Sequence, residues 1–97
     1  MKSACEKCGR VLEPQGEAYI CTFECTFCPE CAAAMKAVCP NCGGGFVPRP
    51  FRPAIERRPG ASVEKQPPSD KRVHLKYSLD DVAAHSARLK DIPPQER

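Results

Sequence analysis

The chain has 97 residues, among them eight cysteines, eleven prolines and no tryptophan, with 28% charged side chains and a formal charge of +3. That length allows one small domain and an appendage, and no stretch approaches the ~18 apolar residues that a membrane span requires. All eight cysteines fall within residues 1–42, a segment too short and too poor in apolar side chains to fold on hydrophobic burial alone.

In chain order, the cysteines come as four close pairs: Cys5/Cys8, Cys21/Cys25, Cys28/Cys31 and Cys39/Cys42. A C-x2-C turn aims two sulfurs at one spot, and two such turns complete a tetrahedron around Zn²⁺. Four turns predict two closed four-cysteine sites, and two zinc ions are the expected cofactors. Gly9 and Gly43 each follow the second cysteine of a pair, where a positive φ turns backbone N–H groups toward the sulfurs. Between these knuckles, Ala18–Phe23 is β-prone and is expected to form a short hairpin with Arg10–Leu12. Pro29–Val38 reads as the one helix of the head, with Pro29 suited to a first turn and Pro40 as a stop. Two topologies join the pairs. In the sequential one, Cys5/Cys8 share an ion with Cys21/Cys25. In the interleaved one, Cys5, Cys8, Cys28 and Cys31 hold site one and Cys21, Cys25, Cys39 and Cys42 hold site two. Only two residues separate Cys25 from Cys28, so the middle pairs lie in one tight segment, easily splayed toward opposite sites.

The head comprises residues 1–47. From Pro48 the composition shifts to PRPFRPAIERRPGASVEKQPP, which lacks the apolar surface to offset its chain entropy. Residues 48–77 are expected to be a flexible linker. Ser78–Lys90 reads as a marginal amphipathic helix within 78–91, with Ser78 as cap, Asp80 and Asp81 in its first turn, and Leu79, Val82, Ala83, Ser86 and Leu89 on one face. Residues 92–97 are expected to be disordered. The predicted fold class is a small metal-stabilised α+β head, with a short β-hairpin and one short helix, carrying a mostly disordered C-terminal tail.

The ECTFCPEC segment, the aromatic Phe27 before the fifth ligand, the helix after the sixth and the Cys39-Pro40-x-Cys42 turn resemble RING-type zinc fingers, with Cys25 where those usually carry histidine. The resemblance covers about residues 5–43 and implies the interleaved, cross-braced pairing. A longer stretch, CEKCGRVLEPQGEAYICTFECTFCPECA followed by VCPNCGGGFVPRP, is similar to a family of small, mostly bacterial, cysteine-rich proteins of unknown function. That second resemblance covers residues 1–50; it implies a zinc-binding RING-like head and brings no activity.

Zinc ligands are thiolates, which changes the charge. Residues 1–47 carry four basic and five acidic side chains and residues 48–97 carry eleven and seven. With two Zn²⁺ on eight thiolates the head lies near −5 and the tail near +4, a dipolar chain whose head is ill suited to polyanions. The basic arm, Arg49, Arg52, Arg57 and Arg58, offers candidate anion contacts. Disulfides are disfavoured by the C-x2-C spacing and by an N-terminus without an apolar secretion run. The seven residues between Cys31 and Cys39 do not fit an iron–sulfur run, and no thioredoxin-like setting surrounds any pair. Closed four-cysteine sites leave no position for substrate. His74 and His85 read as solvated tail residues. No catalytic residue is expected and no small-molecule substrate. The expected function is a non-catalytic, cytoplasmic zinc adaptor that binds a protein partner and no membrane. The alternative is a nucleic-acid accessory protein using the basic arm. The weakest reading is ubiquitin ligation: Glu6 and Lys7 fill the first turn where ligases place an apolar residue, and Gly43 follows the last cysteine where they place a basic one.

Overall fold

The structure, a computed structural model, describes residues 1–97. Three strands of two residues each form an antiparallel sheet in the order β2–β1–β3: β1 Tyr19–Ile20, β2 Thr26–Phe27 and β3 Val47–Pro48. Tyr19 faces Phe27 on one side and Pro48 on the other. β-Branched and aromatic residues suit this half-buried surface, and Pro48 is tolerated because β3 is an edge. The expected partner of β1, Arg10–Leu12, lies elsewhere: Val11 bridges Ala4. The chain doubles back tightly through the first cysteine turn, and that reversal uses Val11 locally.

Helix α1 covers Pro29–Ala34, with Cys28 as its N-cap and Met35 as its C-cap. It ends four residues before the expected Val38 because Lys36 and Ala37 both take left-handed φ, 56° and 59°. Such residues without glycine cost roughly 1–2 kcal/mol each. The reversal swings Val38 and Cys39 inward, and both are fully buried.

The core is small and chemically unusual. Ten buried residues form it, and five of them are cysteines: Cys5, Cys21, Cys28, Cys31 and Cys39. Leu12, Ala18, Phe27 and Met35 supply the rest of the head's share, and Phe46 tilts against Phe27 with ring centroids 5.4 Å apart. The tenth member, Val82, comes from the tail.

The tail expected to be disordered is instead laid along the head. Arg49 N–H donates to Ala18 O at 2.8 Å, and Val63 N–H to Pro53 O at 2.8 Å. Ser69 N–H donates to Met1 O, Ser3 N–H to Ser69 O, and Leu75 N–H to Glu6 O. Composition missed this because the stabilisation is in paired backbone groups and a few anchors, not a continuous apolar face. Helix α2, Leu79–Leu89, starts at Ser78, whose hydroxyl accepts Asp81 N–H. Val82 and Ser86 are buried against the head, while Leu79 and Ala83 remain exposed. The Ser86 hydroxyl is buried with no partner. Removing it restores helix propensity and abolishes an unsatisfied polar group, so Ser86→Ala should raise stability by about 0.5–1.5 kcal/mol. An unchanged or lower urea midpoint would contradict that. No helix is long and apolar enough to cross a membrane.

Candidate metal centres

Each cysteine pair is placed by a local turn. Cys5–Cys8 closes through Gly9 N–H to Cys5 O at 3.0 Å, with Gly9 at φ 79°, and Cys39–Cys42 closes identically through Gly43 N–H to Cys39 O at 2.8 Å, again at φ 79°. Cys21 and Cys25 flank the β1–β2 turn, where Glu24 adopts φ 62° and its N–H donates to Cys21 O. Cys28 and Cys31 sit at the cap and first turn of α1.

Strand β2 decides the pairing. Cys25 precedes it and Cys28 follows it, so three steps of extended chain hold the two sulfurs on opposite ends, about 10 Å apart in backbone terms. Cys5, Cys8, Cys28 and Cys31 converge, with all four sulfurs within 4.8 Å of one another and Cys8 Sγ 3.8 Å from Cys28 Sγ. Cys21, Cys39 and Cys42 form the second group, their sulfurs likewise within 4.8 Å of one another. Cys25 is half-buried and stands outside this group of three. The first and third pairs are thus together, and Cys21 of the second pair joins the fourth.

The donor chemistry fits a soft cation. Phe23 N–H points at Cys21 Sγ (3.3 Å) and Gly44 N–H at Cys42 Sγ (3.4 Å), the contacts that stabilise thiolate ligands. Burial works against the Cys5 thiol, yet the backbone N–H groups of Cys8, Cys28 and Lys7 outweigh it and bring its pKa down to about 7. Cys21 is lowered in the same way, against its burial, by Cys25 and Phe23 backbone. Burial pushes Cys25, Cys28, Cys31 and Cys39 upward. Each cluster thus eases one thiolate and resists further ones, a conflict that a divalent cation among the sulfurs would reverse. Four thiols in one cluster and three in the other, with no histidine among them, suit zinc or another thiophilic ion and exclude the oxygen-seeking ones.

Three groups around the clusters escaped the sequence reading. Glu6, inside the first turn, is buried, and its Oε2 accepts Thr26 N–H at 2.7 Å and Lys2 Nζ at 2.8 Å. It clasps the first turn to β2, and so the first cysteine pair to the third. Glu6→Ala strands a buried N–H and an ammonium, costing about 1–3 kcal/mol; Glu6→Gln, able to keep one bond, should cost less. Equal midpoints for the two variants and the unaltered chain would remove Glu6 from this role. His85, expected in solvent, places Nε2 3.1 Å from Cys39 O, and a Cβ on Gly43 would meet Leu89 Cδ1 at 3.2 Å. Helix α2 therefore roofs the second knuckle. Arg49, expected as an anion contact, is buried, donating to Lys2 O at 2.7 Å and Glu13 O at 3.3 Å. Arg52 donates to Gln66 O at 2.6 Å, whereas Arg57 and Arg58 are exposed. A buried arginine between two prolines has no signature in sequence; the cover by α2 was signalled only by its apolar stripe.

Residues 1–52 match the family described as Protein of unknown function (DUF1272). The chain belongs to this family. An uncharacterized protein of Rhizobium meliloti (strain 1021) is 48% identical over 75 residues, covering 75% of this chain and 82% of that protein. The similarity to that relative extends beyond the cysteine-bearing head, and its bacterial source agrees with the small cysteine-rich family expected from sequence. No solved structure matches.

Proposed function

We propose that this chain is a structural zinc protein with a cross-braced, RING-like head, acting as a non-catalytic adaptor that presents a rigid surface to a protein partner in a reducing, cytoplasmic setting. The observation that carries the reading is the convergence of the first and third cysteine pairs, with Cys21, Cys39 and Cys42 grouped apart. Cys5, Cys8, Cys28 and Cys31 would hold one ion, and Cys21, Cys25, Cys39 and Cys42 the other. Zinc supplies in each the divalent charge that lets four thiolates share a small buried volume. With all four positions taken by sulfur, nothing remains for water or substrate, so the metal acts on folding and not on a reaction.

Native mass spectrometry of the full chain tests the metal assignment: the expected mass carries two zinc ions with loss of the thiol protons. One zinc, or iron with a visible charge-transfer band, would sink it. The adaptor role is supported against nucleic-acid binding by the placement of the arm. Arg49 and Arg52 are tied to backbone carbonyls, so that Arg57 and Arg58 are the exposed arginines of that run. Fluorescence anisotropy with single- and double-stranded oligonucleotides at 50 mM salt should show no saturable binding. Tight binding with a steep salt slope would favour the alternative.

A further inference from the structure

Where the arm crosses the open face of the sheet it leaves a cleft of about 630 Å³, within the range that holds small organic ligands. Ile20, Phe23 and Phe51 form apolar walls, and the residues Phe23 and Phe51 are 75% and 60% exposed. Exposed apolar side chains grouped along one concave surface mark ligand-binding grooves. Four cations line the same space, Lys2, Arg49, Arg52 and Lys71, against one carboxylate, Glu24.

Arg49 gives the cleft its chemistry. Arg49 is 7% exposed, and its guanidinium donates to the neutral carbonyls of Lys2 and Glu13. The chain's ion pairs join Lys2 to Glu6, Arg10 to Glu30 and Lys90 to Asp91, and none reaches Arg49. Burial and then the nearby Arg52 charge both lower its pKa, as expected of a cation without a counter-ion. Buried charges are ordinarily paired, and a guanidinium's planar fork suits a carboxylate or phosphate. Lys2 is already neutralised by Glu6, so Arg49, Arg52 and Lys71 are the cations left to an incoming anion.

We propose that this cleft binds a small amphiphilic anion, with a carboxylate or phosphate head against Arg49, Arg52 and Lys71 and an apolar body between Phe23 and Phe51. It is independent of the cysteine clusters, and it departs from the expectation of no small-molecule ligand, which came from the closed metal sites alone. Carboxylate and phosphate heads share this chemistry, and the probes separate them.

The test titrates the folded full chain with decanoate, decyl phosphate, decanol and acetate, each below its micellar concentration, following backbone amide shifts. At least one of the two amphiphilic anions should give saturable shifts centred on Ile20, Phe23, Phe51 and Arg52, and the tighter one names the head group. Decanol and acetate should each bind at least tenfold more weakly, since one lacks charge and the other the apolar body. Because Arg49→Met removes bonds that hold the arm and is prone to unfolding, the deciding variants are Phe51→Ser and the double change Arg52→Gln with Lys71→Gln. Both should keep the dispersed head spectrum while weakening the bound anion at least fivefold. Absence of saturation by either anion would overturn the proposal, as would decanol matching the anions or binding that ignores both variants. In those cases Arg49 serves only to clamp the arm.

Discussion

Chelation of the metal should unfold the whole chain, tail included. Half of the ten-residue core is cysteine, so removing the cation leaves buried thiols where a domain needs apolar packing. Structural zinc contributes about 10–16 kcal/mol per site in small finger peptides, against a stability of about 5–15 kcal/mol for a typical domain. No hydrophobic reserve in the head offsets a loss of that size. The tail follows because its hydrogen bonds end on the head: Leu75 on Glu6, Ser69 on Met1, Arg49 on Ala18. With excess chelator, amide dispersion should collapse from residue 3 through helix α2, and re-addition of zinc should restore it. Retained dispersion in residues 1–47 without metal would show that the cysteine clusters are incidental to folding.

Val82→Asp should be the most damaging single change outside the cysteines. Val82 is 5% exposed and is the tail's one member of the core. An unpaired carboxylate there costs about 3 kcal/mol or more, or forces α2 off the head. Release of α2 uncovers the Gly43 turn, where Leu89 and His85 lie. Metal exchange at the Cys21, Cys39 and Cys42 group should then accelerate more than at the Cys5, Cys8, Cys28 and Cys31 group. Ala83→Asp, one residue on and exposed, is the control and should leave both rates unchanged. Equal acceleration at the two clusters would mean that α2 stabilises the head as a whole and guards neither site.

The cysteine turns were legible because their spacing states their geometry: Gly9 and Gly43 do take positive φ, and the sulfurs gather in two clusters, Cys5, Cys8, Cys28 and Cys31 in one and Cys21, Cys39 and Cys42 in the other. Ser78 was legible as a cap for the same local reason. The strands were not, since two residues cannot display an alternation, and β1 found β2 and β3 where Arg10–Leu12 was expected. The early end of α1 lies in Lys36 and Ala37, neither of which signals left-handed backbone by type. The tail was misread because proline-rich composition reports missing side-chain burial and is silent about backbone partners. Arg49 compounds this: a residue type that usually marks solvent here anchors the arm beneath the sheet edge.

The tail's hold on the head does not depend on the loop that delivers it. Arg57 and Arg58 stand exposed, and nothing lies within 4 Å of where a side chain on Gly60 would begin. Every bond described between the two halves, from Ser69 on Met1 to Val82 in the core, lies outside that turn. The loop is therefore a tether whose role is to keep the tail at high effective concentration. A tryptic nick between Arg57 and Arg58 would leave two polypeptides that co-migrate as one particle until denatured. The fold is in this sense a complemented pair of fragments that happens to be encoded in one piece.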